Sequence, residues 1–508
     1  MILVIDFGSQ TANLIERRLK ELGVATAFLP PEKAMEFIKK NHVAGIVLSG
    51  GPSSVYGPDS PTIDSNIFTL GIPVLAICYG MQLMMKVYGG DVVTGKKEYG
   101  PSQLQISNDK YQISKGLTKN LTVWMSHGDE IKALPKGFSV LGATKHASFA
   151  FVSNEKERLY GLLFHPEVEH TEKGEIVLKN FVNICNVSVD KKDIDIDEII
   201  KKIKETVGES QVIGAVSGGV DSTVAAALTA KAIGKQFVPF YVDNGLMRAG
   251  TTESVRAIFK HIGVSAQVLR CESEMLTLLK GRTDPEQKRK IIGKFYITMF
   301  EREMRRLRKQ GKDVKYLLQG TIYSDVIESK GTKHASKIKS HHNVGGLPKN
   351  MKLKLLEPLR TFYKDEVRAI GASLGLPDQF VWQQVFPGPG YGVRIRGEVT
   401  KERLKRERLA DAIVLEEVIK AGLFRKVFMS FAIMSGADST AVKGDGRFFG
   451  EVVAVRVVES RDVMTSKWAH LPYDVLQAIS SRIVNEVPGI SRVVYDITTK
   501  PPATMEWE

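Results

Sequence analysis

Twice in this chain a short apolar run ends at a tight turn that opens a helix, and few folds accommodate that arrangement. The first run, IPVLAI, gives way at Cys78-Tyr79-Gly80 to MQLMMKVYGG. The second, VIGAV, gives way at SGGVDST to VAAALTAKAIG. A buried strand feeding straight into a helix is half of a βα unit, which packs well only in a mainly parallel sheet covered by helices. The neighbouring sequence repeats the pattern. ILVIDF, AGIVLSG and YGLLFH read as further strands around the first turn, with TANLIERRLKEL and EIVLKNFVNIC as helices. FVPFYVD and AQVLRC do the same around the second, with ESVRAIFKHIG between them.

A chain of 508 residues is too long for one core. The acidic, poorly patterned SVDKKDIDID sets a boundary at about residue 189, and the breaker cluster FPGPGYG a second near residue 383. The predicted fold is α/β: two successive doubly wound, mainly parallel-sheet domains, residues 1–189 and 190–383, then a small α+β domain, residues 384–508. No apolar run approaches the roughly 18 residues that suggest a membrane span. MILVIDFGSQ lacks a basic n-region and reads as a buried strand, and three scattered cysteines make no disulfide framework. The expectation is a soluble cytoplasmic enzyme with no membrane partner.

Charge divides unevenly. Residues 1–189 carry 19 basic against 18 acidic side chains, and the remainder 52 against 39, so nearly all of the net +14 follows residue 190. An anion is therefore expected in the second part. The basic residues alternate with acidic ones, as in ERLKRERLADAIVLEE, which favours a small phosphorylated substrate over nucleic acid.

In the first part, Cys78 stands where strand meets helix. A nucleophile on such a turn is lifted clear of the sheet, Gly80 lets the backbone turn, and the helix N-terminus favours a thiolate. A lone cysteine is more often a small core residue. GLLFHPEV supplies a partner: His165 and Glu167, two apart, share a face, so the carboxylate can orient an imidazole that serves as base and then acid. Gly50 and Gly51 of LSGGP form a turn after another strand, whose N–H groups, with that of Tyr79, can make an oxyanion hole. In this order SGGP, CYGMQ and HPE resemble the class I (triad) glutamine amidotransferases over residues 1–185. The resemblance implies that Cys78 forms a glutamyl thioester and releases ammonia, and that Gln82 helps hold glutamine.

In the second part, Gly218 and Gly219 let the backbone approach a phosphate, and the helix start binds the anion. Ser217, Ser222 and Thr223 add hydroxyls, Val220 lies at the helix start, and Asp221 is suited to ligate Mg²⁺ bridging ATP. No Gly-Lys-Ser/Thr follows, so this is not a Walker loop. SGADST at residues 435–440 lacks the second glycine and reads as a loop. SGGVDS resembles the loop of the N-type ATP pyrophosphatases, which cleave ATP between the α and β phosphates to adenylate an acceptor. By that resemblance YVDNG, with Val242, lies against adenine.

TDPEQKRKIIG, QGTIYSDVIES, KSHHNVGGLP and KPPATMEWE, in that order, resemble the GMP synthetase family across essentially the whole chain. The resemblance implies glutamine, ATP and xanthosine 5'-monophosphate as substrates, and a C-terminal domain that makes a homodimer and helps bind the acceptor. Lys330, Lys333, Lys337 and Lys339 then suit a lid over phosphates. His341 and His342 are adjacent, a spacing that does not suggest zinc. Lys500 suits the acceptor phosphate, Glu506 the purine N–H groups, and Arg248 is a further candidate. An RNA-modifying pyrophosphatase is disfavoured by the triad domain, and a glutamine sensor without chemistry by the filled triad positions.

Overall fold

The computed structural model describes residues 1–9, 11–190, 194–330, 353–460, 463, 465–500 and 502–508. Their packing falls into two compact units, one from Met1 and the other from Ile194, each with its own apolar core.

The first unit begins β1 (Ile2–Ile5), α1 (Ala12–Glu21), β2 (Thr26–Leu29), α2 (Pro31–Lys40), β3 (Gly45–Leu48), β4 (Val74–Ile77) and α3 (Tyr79–Val87). It continues β5 (Asp91–Ile106), β6 (Asn120–Ala133), β7 (Ser139–Ala143), β8 (Phe151–Asn154), β9 (Leu159–Leu162) and α4 (Gly174–Cys185). These strands form one sheet in the order β2-β1-β3-β4-β9-β8-β7-β5-β6, its first five strands parallel and the rest antiparallel. β1, β3, β4 and β9 are buried along their whole length, as unbroken apolar runs in a parallel sheet require. The long β5–β6 ladder was not predicted. A bridge between Met125 and Phe164 ties its second strand to the segment leading to His165.

The second unit begins α5 (Ile196–Val207), β10 (Gln211–Ala215), α6 (Val220–Ile233), β11 (Phe237–Asp243), α7 (Thr251–His261) and β12 (Gln267–Arg270). α8 (Glu272–Leu279), α9 (Pro285–Lys309), β13 (Val314–Leu318), α10 (Tyr323–Lys330), β14 (Lys354–Leu356), α11 (Lys364–Ser373) and α12 (Asp378–Val381) follow. Its five-stranded sheet, β12-β11-β10-β13-β14, is parallel throughout. β10 lies between β11 and β13, so the strand order reverses there, and the carboxyl end of such a strand is where open α/β sheets bind ligands. SGGVDST occupies that end.

The chain closes with α13 (Lys401–Lys420), β15 (Met429–Lys443), β16 (Gly446–Glu459), β17 (Lys467–Trp468), α14 (Tyr473–Glu486) and β18 (Ile490–Tyr495). These strands make a smaller mixed sheet. One apolar cluster runs from Ile213 and Phe240 to Tyr391, Ile413 and Val453, so the change of architecture near residue 383 is not a break in packing.

Residues 435–440 are not a loop. They lie within β15, whose pairing with β16 is irregular between Met434 and Asp438, where Gly436 takes a φ of 70°. The missing second glycine that suggested a loop is no bar to a strand, and the one glycine present marks a bulge. The segment around Lys333, Lys337, Lys339, His341 and His342 lies outside the described residues, as does the side chain of Lys330.

Candidate active site

In the first unit, Cys78 takes φ 48°, ψ −108°, between β4 and the first turn of α3. A non-glycine residue in that region is strained by about 1–3 kcal/mol, and here the strain holds the thiol clear of the sheet. Gly80 does not supply the turn, as the sequence suggested. Its φ is ordinary, and its role is proximity: a Cβ there would lie 2.7 Å from Leu48 Cβ and 2.8 Å from the Leu48 carbonyl oxygen. Absence of a side chain lets α3 sit against β3.

His165 lies just beyond β9 and is buried, its Nε2 without a hydrogen-bond partner among the described residues. Its Nδ1 is 2.7 Å from Glu167 Oε1. Since a carboxylate only accepts, Nδ1 carries the proton and Nε2 is left toward the thiol. Glu167 is itself fixed: Thr11 Oγ1 donates to the same oxygen at 2.7 Å, and Arg18 Nε donates to the Glu167 carbonyl at 3.2 Å. Thr171 Oγ1 donates to the His165 carbonyl at 2.6 Å. Burial alone would push the imidazole down, but the Glu167 carboxylate and the Cys78 sulfur outweigh it and hold its pKa well above the usual histidine range.

Gly50 and Gly51 close one side of the site. A Cβ on Gly50 would lie 3.0 Å from His165 Cε1, and one on Gly51 2.9 Å from the Phe7 carbonyl oxygen. Tyr79 N–H, in the first turn of α3, has no intrahelical acceptor. The Tyr79 hydroxyl donates to the Pro61 carbonyl at 2.6 Å, and burial pushes its pKa up to about 12.

The sequence reading missed residues 126–129 of β6. Cys78 Sγ donates to the Ser126 carbonyl at 3.4 Å, and Gln82 Nε2 donates to the Asp129 carbonyl at 3.0 Å. Gln82 therefore braces this strand. His127 Nδ1 also bonds the Asp129 carbonyl, at 3.0 Å, and burial lowers its pKa against the opposing pull of Glu98. Asp129 Oδ2 is buried without a hydrogen-bond partner among the described residues. The polar run SHGDE interrupting an apolar strand was the available signal.

In the second unit the loop after β10 is held by its own hydroxyls. Ser217 Oγ and Ser222 Oγ are 3.0 Å apart, and Ser222 Oγ donates to the Gly219 carbonyl at 3.0 Å. Gly218, at φ 86°, makes the turn, and Gly219 is the N-cap of α6, whose first residue is Val220. Thr223 Oγ1 and Asp221 Oδ1 are buried without partners among the described residues. Lys364, from α11, was missed; its Nζ lies 2.6 Å from Asp221 Oδ2. Arg368, one turn on, feels the same carboxylate. Val242 is buried in β11, paired with Leu269 of β12.

The three acceptor candidates all have protein partners. Arg248 Nε is 2.6 Å from Asp411 Oδ2. Lys500 Nζ donates to the Val463 carbonyl at 2.6 Å. Glu506 is gripped at both oxygens by Arg394, Nε and Nη2 each at 3.0 Å. The segment holding Glu506 is ordered: Met505 packs with Phe428 and Phe431, and the buried Arg456 donates to the carbonyls of Thr498, Thr504 and Met505.

Three family models match along the chain. Residues 3–185 match the family described as glutamine amidotransferase class-I, residues 191–296 NAD synthase, and residues 416–507 the GMP synthase C terminal domain. The chain is 49% identical over its full length to glutamine-hydrolysing GMP synthases of Candida albicans and Nitratiruptor sp., covering 97% and 99% of those proteins. Identity to the same enzyme of Geobacillus kaustophilus is also 49%, covering 99% of it. With a strained cysteine at a strand-to-helix turn in one unit, a glycine–serine loop at a helix start in the other and relatives matched end to end, the chain belongs to the family of glutamine-hydrolysing GMP synthases.

Proposed function

We propose that Cys78, His165 and Glu167 release ammonia from glutamine, and that the second unit uses ATP to place it on xanthosine 5'-monophosphate, giving GMP. Cys78 Sγ attacks the carboxamide carbon while N–H groups around Gly50, Gly51 and Tyr79 receive the developing oxyanion. His165 Nε2 takes the thiol proton during the attack and passes it to the leaving nitrogen, so the tetrahedral adduct collapses, breaking the C–N bond, and ammonia departs to leave a glutamyl thioester. His165 then takes a proton from water, which hydrolyses the thioester to glutamate. Asp129, buried and with an unpartnered oxygen beside Gln82, suits the glutamine ammonium group.

In the second unit, residues 217–223 cradle the ATP phosphates. The acceptor's carbonyl oxygen attacks the α-phosphorus and pyrophosphate leaves. Ammonia adds to the activated carbon, and AMP departs. Asp221 suits a hard divalent cation, since its Oδ1 is buried and unpartnered while Lys364 balances the other oxygen. Among the described residues no cluster of three metal-ligating side chains exists, so ATP itself would complete the coordination of Mg²⁺. When bound, Mg²⁺ would neutralise phosphate charge. Arg248, Lys500 and Glu506 are proposed to bind the acceptor, with residues 384–508 as a dimerisation domain. Exposed Val442 and Phe449, near the β15–β16 turn, support an interface there. No described helix is long and apolar enough to cross a membrane, and three free, buried cysteines suit a reducing cytoplasm.

The observation that carries this reading is that one chain holds both a strained cysteine at a strand-to-helix turn, with a carboxylate-held histidine in the same unit, and a separate glycine–serine loop at a helix start. Cys78→Ala should abolish glutamine-dependent GMP synthesis and leave ammonium-dependent synthesis intact. A folded variant that ammonium fails to rescue would overturn the division of labour.

A further inference from the structure

Arg394 is fully buried, yet carries a guanidinium that no sequence rule would place in a core. Two aromatic rings hold it, with its Cζ 4.6 Å from the Phe386 centroid and 4.0 Å from that of Phe431. Nε and Nη2 each meet one oxygen of Glu506 at 3.0 Å, and Nη1 lies 3.5 Å from Asp411 Oδ1. Asp411 also takes Arg248 Nε at 2.6 Å and the Tyr391 hydroxyl at 3.0 Å. The result is a chain of alternating charge, Arg248–Asp411–Arg394–Glu506, with Phe386 beneath both arginines. Burial, with Asp411 one helical turn away, raises the pKa of the neighbouring Glu407 well above the usual range.

An ionised carboxylate offers about four lone-pair sites, and a bidentate guanidinium uses one on each oxygen. The remaining two stay available, and the Glu506 side chain is 14% exposed. We propose that Arg394 is a positioning residue for the acceptor purine: it fixes the plane of the Glu506 carboxylate so that its outer lone pairs meet the ring N–H groups. This rests on the assignment of Glu506 to acceptor binding. Arg394 touches no substrate and acts through Glu506. A free glutamate would lose rotamer entropy on binding; one locked beforehand does not.

The test is a double-mutant cycle in the full-length protein with ammonium as nitrogen donor. KM for xanthosine 5'-monophosphate, KM for ATP and kcat are measured for Arg394→Lys, Glu506→Gln and the double variant. Lysine keeps the charge but cannot make the fork. Arg394→Lys should raise the acceptor KM about tenfold, the lower range for a lost charged hydrogen bond, with kcat and the ATP KM within about twofold. The double variant should be no worse than Glu506→Gln alone. Additive effects, or an unchanged acceptor KM in Arg394→Lys while Glu506→Gln raises it, would overturn the positioning role alone. An unchanged KM in Glu506→Gln would remove the assignment beneath it as well. Equal rises for ATP and acceptor would make Arg394 structural only. If Arg394→Lys does not fold, Glu506→Asp asks the same question: it keeps the charge but draws it back from the fork. A wild-type acceptor KM in that variant would sink the proposal, and a rise matching that of Glu506→Gln would uphold it.

Discussion

At the scale of single residues, the first unit holds a proton that burial opposes. His165 is buried, which by itself would favour the neutral ring, and Glu167 at 2.7 Å reverses that preference. Because the native pKa is raised above the unfolded value of about 6.5, the stability His165 contributes is complete below that pH. It is lost as pH rises through the native pKa. Glu167→Gln removes the main raising influence and leaves burial opposed by the Cys78 sulfur alone. The variant should lose about 10²–10⁴-fold in glutamine-dependent kcat, the span of a misdirected general base, and keep its ammonium-dependent rate. Denaturant unfolding across neutral to alkaline pH should show a smaller fall in stability for the variant than for the wild type. An identical fall in both would mean that some other group titrates there.

At the scale of elements, two glycines set how closely a helix start approaches a strand. Gly80 brings α3 onto β3, and Gly320, just past β13, lies where a Cβ would meet Ser222 N at 2.8 Å and the Asp221 carbonyl carbon at 2.9 Å. In both cases the obstacle is backbone or a Cβ fixed to it, which cannot rotate away. Overpacking of this kind costs about 1–3 kcal/mol and displaces the helix start. Gly80→Ala should therefore depress glutamine hydrolysis while sparing ammonium-dependent synthesis. Gly320→Ala should depress synthesis from either nitrogen source by raising the KM for ATP. Swapped phenotypes would contradict the assignment of the two helix starts. These elements were legible because local signals coincide: an apolar run, a turn and a helix. Residues 126–129 were passed over although SHGDE breaks the apolar run, because their approach to Cys78 and Gln82 comes from a bulged ladder between β5 and β6 that no local pattern announces. Lys364 was hidden for another reason. It reaches Asp221 across 143 residues of sequence, from a helix that reads as an ordinary amphipathic surface. Arg394 and Arg456 were hidden because pattern reading places guanidinium groups outside.

At the scale of the whole molecule, the division of charge has a measurable consequence. Nearly all of the net +14 belongs to residues after 190, while the part holding Cys78 is close to neutral. The substrates divide the same way. Glutamine is a zwitterion with no net charge, whereas ATP and xanthosine 5'-monophosphate are anions. A surplus of positive charge raises the local concentration of an anion and its rate of encounter by about 10–10³-fold at low salt. Salt removes that advantage, since the Debye length shrinks from about 10 Å at 0.1 M to about 3 Å at 1 M. Much of the basic surface is locally paired with acids, as in the Arg482–Glu486 and Lys202–Glu198 bridges, so the lower end of that range is expected. Raising potassium chloride from about 0.05 to 0.5 M should therefore raise the KM for both nucleotides about tenfold. The KM for glutamine should stay within about twofold, because a neutral substrate gains nothing from the field. Steady-state titration of each substrate at several salt concentrations makes the comparison in one preparation. A parallel rise for all three substrates would indicate a general salt effect on the fold. A flat response for the nucleotides would confine electrostatic recognition to the short-range contacts at the phosphate loop and leave the distant charge without a part in binding.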